Sequence, residues 1–233
     1  MVFDPLYFLI VGPAMLLALW AQFKVKGTFA QASQVPVRTG INGAEATRRL
    51  LRLNGINNVG IEMVPGTLSD HYDPRAKMLR LSEDVYHGRS LAAVGIAAHE
   101  VGHAIQDQQR YGPLVIRNGL VPLASVGGNL SMILIMVGMV LAGAGTVLGK
   151  GLLFAGIGLF SLTVLFQLIN LPVEFDASNR AKAQLIEAGI VTPDEMLPIR
   201  SVLSAAAMTY VAATITAVLT LIYFVLRASQ SRQ

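Results

Sequence analysis

Two of the chain's four histidines stand four residues apart, with a glutamate directly after the first: His99-Glu100-Val101-Gly102-His103. On an α-helix, residues i and i+4 share one face, one turn apart. Two imidazoles so placed can bind one Zn2+ through bonds of about 2.0–2.1 Å. Glu100 lies beside them. A carboxylate there can take a proton from a metal-activated water and later pass it to a leaving amine. H-E-x-x-H on a helix therefore points to metal-assisted hydrolysis of a peptide bond. The alternative is a buried helix with two hydrogen-bonded histidines and a paired glutamate. Without a metal, burying those groups would be costly.

The elements that must position these residues come next. Ser90-Leu-Ala-Ala-Val-Gly-Ile-Ala-Ala precedes the motif and Ala104-Ile105-Gln106 follows it. Small and apolar residues at this spacing predict a buried helix from Arg89 or Ser90 to about Gln109, closed by Gly112-Pro113.

A catalytic zinc needs a third protein ligand and an open position. In one large class that ligand is a glutamate on a later helix. Glu174 is the best candidate, because it sits in the otherwise apolar stretch Asn170-Leu-Pro-Val-Glu-Phe. Asp176 is its rival, and an interface carboxylate paired with an arginine is the alternative role for Glu174. His71 and His87 are weaker ligand candidates.

Zinc-bound histidines usually donate their other nitrogen to a carboxylate or carbonyl. Asp176, Asp73 and Asp107 could serve, with Asp176 preferred. An oxyanion would need a donor besides the metal, and His71, Tyr72, Arg180 and Tyr210 are candidates. The segment Met78–Ser82 reads as a strand just before the motif helix. It is either an edge that holds an extended substrate by added β-pairing or an ordinary strand.

Composition sets the setting. The 233 residues are 53% hydrophobic and only 14% charged, against about 25% charged in soluble domains. Mean hydropathy is +0.55. No cysteine is present, so disulfides and thiolate chemistry are excluded. Four uncharged runs approach or exceed the roughly 20 residues that span a bilayer: Leu6–Phe23, a run within Gly119–Gly149, Gly151–Val173 and Ser201–Leu226. The first run has no preceding Lys or Arg and ends in bulky residues. It is read as a retained anchor rather than a signal peptide, with a possible kink at Pro13.

The net charge of +4 and pI near 9.6 could suggest nucleic acid. Position explains them better. Residues 24–117 hold twelve of the eighteen Lys and Arg, and residues 174–200 hold Arg180, Lys182 and Arg200. Four spans put both segments on one side. The positive-inside rule makes that side cytoplasmic, with both termini and the turn near Lys150 facing out. No nucleic-acid partner is expected.

The expected organisation is an anchor over 1–23, a catalytic region over 24–117 and a transmembrane hairpin over 118–173. A third-ligand helix region over 174–200 follows, then a fourth span with its tail over 201–233. Within 24–117, Thr28–Arg38 reads as irregular. Asn42 caps a helix over Ala44–Leu53 that Gly55 ends. Val59–Val64 and Lys77–Ser82 read as strands, with a polar turn over Ser69–Pro74. Past the hairpin, a helix covers Asn179–Glu187, and Gly189 stops it. Thr192-Pro-Asp-Glu reads as a capping box that starts another helix.

The order of motif helix, hairpin and Glu-Phe-x-Ala helix resembles the HtpX-like membrane zinc peptidases. The closer resemblance is to the neutral zinc metallopeptidases of bacterial membranes, the YugP-like family. It rests on Ser69-Asp-His-Tyr-Asp-Pro-Arg, Leu79-Arg-Leu-Ser, Ser90 through Gln106, and Leu171-Pro-Val-Glu-Phe-Asp-Ala-Ser. The resemblance implies a gluzincin fold, a zinc cofactor and peptide hydrolysis at the cytoplasmic membrane face. It implies His99, His103 and Glu174 as ligands and Glu100 as base. The HtpX-like pattern places an aspartate four residues after the ligand glutamate. Here Ser178 stands at that position, and Asp176 lies two after Glu174.

The expected protein is α-helical, with four transmembrane helices in the cell membrane and a small α+β zincin-like catalytic domain on the cytoplasmic side. Its partners are the lipid bilayer and protein or peptide substrates, and the sequence does not fix its oligomeric state. One rival is a site-2-type intramembrane protease, whose motif lies inside a span and whose third ligand is an aspartate. The run Ser90–Gln106 is short for that. The other rival is a membrane scaffold with a structural zinc. Such a site would normally be closed by four ligands and has no use for Glu100.

Overall fold

The computed structural model describes residues 4–230. Ser231 and the rest of the tail, expected to face out, lie outside the described residues, as do the first three residues of the anchor. The element order is α1 (Pro5–Ser33), α2 (Gly43–Leu53), β1 (Gly60–Val64), β2 (His71–Asp73), β3 (Met78–Ser82), α3 (Glu83–Tyr86), α4 (Leu91–Gln108), α5 (Gly112–Gly143), α6 (Val147–Glu187) and α7 (Met196–Gln230). A 3₁₀ turn over Pro193–Glu195 leads into α7. Among the described residues, four helical stretches are long and apolar enough to cross a membrane: Pro5–Ser33, Gly112–Gly143, Val147–Glu187 and Pro193–Ser229. α4 is not one of them.

The chain divides into two compact units. One takes Val115–Leu171 with the described parts of Met1–Trp20 and Thr209–Gln233. Its core gathers Val11, Ile135, Leu153, Phe160 and Phe224. The α5–α6 hairpin packs backbone against backbone. A Cβ on Gly138 would lie 2.4 Å from the Leu153 nitrogen, and one on Gly149 would lie 2.2 Å from the Ala142 nitrogen. Small residues are what allow helices to approach this closely in lipid. Asp4 accepts hydrogen bonds from the Tyr223 hydroxyl (2.7 Å) and from Arg227, which pins the start of α1 to α7.

The other unit takes Ala21–Leu114 and Pro172–Met208. Asn42 caps α2 in a reciprocal capping box: the Glu45 N–H donates to Asn42 and the Asn42 N–H donates to Glu45, both at 2.8 Å. α2 turns Ala46, Leu50 and Leu51 inward. α4 is buried on almost every side, so it forms the centre of this core with Leu79, Ile105, Leu185, Ile190 and Ile199. A three-stranded sheet in the order β1-β3-β2 completes the unit. β1 runs parallel to β3 and β2 antiparallel to it.

Four expectations change. The polar turn over Ser69–Pro74 contains a strand, β2, whose three residues are too few for a period-2 pattern to stand out. Met78–Ser82 is the central strand of the sheet and not an edge. Thr28–Ser33 continues α1 instead of being irregular, with the Thr28 and Ser33 hydroxyls donating to carbonyls of the preceding turn. The third span and the following helix are one helix, α6, which continues through Pro172. Proline removes a single donor, and membrane-type helices tolerate it.

Candidate active site

α4 and α6 supply the three candidate ligands, Glu100 and the groups behind the histidines. On α4, His99, Gly102, His103 and Gln106 follow the i, i+3, i+4, i+7 spacing of one face. On α6, Glu174, Ala177 and Ser178 follow the same rule. The two faces meet at Gly102. A Cβ there would lie 2.6 Å from the Ala177 carbonyl oxygen, so only glycine permits the approach. That contact brings the Glu174 carboxylate to both imidazoles. Its Oε2 is 3.3 Å from His99 Nε2 and 3.7 Å from His103 Nε2. The two rings stand edge-to-face with centroids 4.8 Å apart.

The donor set fits zinc. Ligand atoms of all three residues lie within 4.8 Å of one another. Bonds of about 2.05 Å in a tetrahedron put neighbouring ligands about 3.3–3.4 Å apart, which is close to the observed separations. His103 and Glu174 are buried and His99 is half-buried.

Glu100 is also buried, and burial pushes its carboxyl up to about 7. The Glu174 and Asp70 carboxylates add to this, while His99 and the Tyr72 backbone N–H on β2 oppose it. A dication at the three ligands would lower it from there. Asp70, itself raised by burial, accepts from the Ser82 N–H at 2.7 Å and from the Ser82 hydroxyl.

The groups behind the ligands differ from expectation. Asp176 does not touch either imidazole. His103 Nδ1 faces the Gln106 side-chain oxygen at 3.0 Å. The Gln106 amide nitrogen then donates to the Val173 carbonyl and to Asp176, each at 2.8 Å. Asp176 also pairs with Arg180. The reason is rotational: Asp176 is turned about 200° from Glu174 on α6, so it reaches the site only through a longer side chain. His99 Nδ1 lies 3.2 Å from the Ser178 hydroxyl, the position where the related pattern carries an aspartate.

The other candidates are placed elsewhere. His71 is exposed, with Nδ1 2.8 Å from the Ser69 carbonyl. Arg180 holds Asp176 and donates to Gln109 at 2.6 Å. Tyr72 donates its hydroxyl to Asp107 at 2.6 Å, and Asp107 also binds Lys77. Asp73 pairs with Arg80. His87 is exposed, and Tyr210 belongs to the other unit. Gln106 is the residue that sequence reasoning missed as a site residue. The available signal was a polar amide three positions after His103 in an otherwise apolar helix.

With this geometry in hand, the comparisons with known proteins are direct. The sequence pattern of the family described as "Putative neutral zinc metallopeptidase" matches residues 7–229. This chain belongs to that family. It is 45% identical over 221 residues to the "Putative membrane protease YugP" of Bacillus subtilis (strain 168), covering 95% of this chain and 96% of that protein. No solved structure matches it. As a member of this neutral zinc metallopeptidase family, the chain is a zinc-type protein, and His99, His103 and Glu174 are the grouped residues able to hold the ion.

The crossing at Gly102 can be tested against a second glycine of α4. Gly102→Ala pushes a methyl into the α6 backbone, so zinc affinity of the purified protein should fall by roughly tenfold or more. Gly95→Ala meets only the Ile199 side chain, at 3.1 Å, and should stay within about threefold. Chelator competition on both variants reads the difference.

Proposed function

We propose that the chain is an integral-membrane zinc metalloendopeptidase. In this reading His99, His103 and Glu174 are the ligands, and Glu100 is the general base and acid. The observation that carries the proposal is the single Glu174 oxygen lying 3.3 and 3.7 Å from the two imidazole Nε2 atoms, with the Glu100 carboxyl buried beside them.

When bound, zinc supplies Lewis acidity toward a scissile carbonyl and acidifies a neighbouring water. The chain's own residues do the rest. Glu100 stands next to His99 in sequence, and burial raises its carboxyl while a bound cation would lower it; its role is to accept a proton from the attacking water and return it to the leaving amine. The Tyr72 backbone N–H on β2 faces that carboxylate and favours its charged form. β2 is an edge strand, so an extended peptide can pair beside it. This favours β2 over Met78–Ser82 as the strand that aligns a substrate.

The unit formed by Ala21–Leu114 and Pro172–Met208 is then a zincin-like catalytic domain of the gluzincin kind. The basic residues of segments 24–117 and 174–200 support a cytoplasmic placement. Substrates would be protein segments or peptides near that membrane face. The site-2-type alternative is disfavoured because α4 is not among the candidate spans and Asp176 faces Gln106 and Arg180.

Glu100→Gln should keep the metal and lose peptide hydrolysis by about 10²–10⁴-fold, because an amide cannot accept the proton. The assay is zinc content alongside cleavage of a proteome-derived peptide library. Cleavage at the wild-type rate would remove Glu100 from the role. No cleavage by either protein would favour a scaffold.

The orientation has its own test, made clean by the absence of cysteine. Single cysteines at Arg52 and Asp194 should be shielded from an impermeant thiol reagent in intact cells. Cysteines at Thr146 and Ser231 should react. The reverse pattern would put the active site outside.

A further inference from the structure

We propose that Gln106 is a positioning residue that fixes the tautomer and ring orientation of His103. The inference rests on the zinc-peptidase reading above for its purpose, but its geometry stands alone. Gln106 is 0% exposed, and its amide makes three contacts. Two of them fix which end of the amide points where. The Val173 carbonyl can only accept, and the Asp176 carboxylate, held by Arg180, also accepts. Both therefore face the amide NH2, which has two hydrogens to give. The amide oxygen is left toward His103, 3.0 Å from Nδ1.

An amide oxygen cannot donate, so Nδ1 of His103 carries the proton. A neutral imidazole protonated at Nδ1 presents its lone pair at Nε2. Nε2 is the atom that faces Glu174. The Gln106 contacts thus commit Nδ1 of His103 to donating, which leaves Nε2, facing the Glu174 carboxylate, as the nitrogen toward which a metal can bind.

His99 is supported differently. The Ser178 hydroxyl at its Nδ1 can donate or accept, so it leaves the tautomer open. The support of His103 is also uncharged at the point of contact. The negative charge sits one residue further out, on Asp176, and Arg180 balances it there. Gln106 therefore acts by direction more than by charge. It also bridges α4 to α6 on the side opposite the Ser178 contact.

Two measurements on the full-length protein test this. Gln106→Met keeps length and apolar volume but removes the amide, and zinc affinity by chelator competition should fall about 10–100-fold. The second measurement is the ¹⁵N imidazole spectrum of metal-free wild type at about pH 9, above the ordinary histidine pKa of about 6.5. The signals lost in His103→Asn identify the ring, and its proton should sit on Nδ1.

An Nδ1 without a proton would overturn the proposal. So would Gln106→Met binding zinc within about twofold of wild type. A purely structural role would lower stability without moving the tautomer. If Gln106→Met does not fold, the wild-type spectrum decides. If wild type binds no zinc, the peptidase reading fails and the spectrum still judges the tautomer.

Discussion

The backbones of α4 and α6 approach so closely at Gly102 that no side chain fits between them. Everything in the site depends on that contact. With the helices this near, a short carboxylate on one reaches both imidazoles on the other. The glycine lies between the two histidines in sequence, so the same helical turn provides both the ligands and the gap. A residue with a Cβ would push α6 outward, and a displacement of an ångström at a ligand is enough to spoil a metal site. The fold supports the contact from both sides. α4 is enclosed by α2, the sheet and the start of α7, and the α6 face that meets it continues as Ala181 and Leu185 into the same core.

Burial is the second constraint. Two imidazoles and two carboxylates lie in a largely apolar interior, where an unsatisfied polar group costs several kcal/mol. The structure meets this cost with short, directional contacts. Ser178 serves His99. Gln106 serves His103 and passes the connection to Asp176 and Arg180. Asp70 is tied to Ser82 at the end of β3. The same desolvation that makes the cluster expensive raises the Glu100 carboxyl, and a cation at the three candidate ligands would oppose that rise. Gln106, Asp176 and Arg180 thus form one chain of contacts behind His103, and a change at Asp176 should reach that ring without touching it.

The sequence made the local patterns legible. His99-Glu-x-x-His103 predicts its own helix, and Asn42 with Glu45 predicts the start of α2. Gly55 and Gly189 take positive φ values of 65° and 60° where helix stops are expected. Glu174 stood out because a charge in an apolar stretch needs a partner. Three features were not legible. β2 is three residues long, below the length at which alternation carries information. The continuity of α6 through Pro172 depends on neighbours that satisfy the freed backbone, which a linear pattern does not show. The supports of the histidines depend on the rotation of α6 about its axis. Asp176 has the right chemistry but the wrong azimuth, so the Gln106 side chain stands between it and His103. Side chains that act through a second residue are set by three-dimensional geometry, and spacing alone does not reach them.

The central claim is that Glu174, and not Asp176, completes the metal site with His99 and His103. Zinc analysis of purified wild type, Glu174→Ala and Asp176→Ala tests it most directly. The account predicts about one zinc per chain in the wild type and loss of stoichiometric zinc in Glu174→Ala. Asp176→Ala should retain zinc with roughly 10–100-fold weaker affinity. If Asp176→Ala loses the metal while Glu174→Ala binds it as wild type does, the assignment is contradicted.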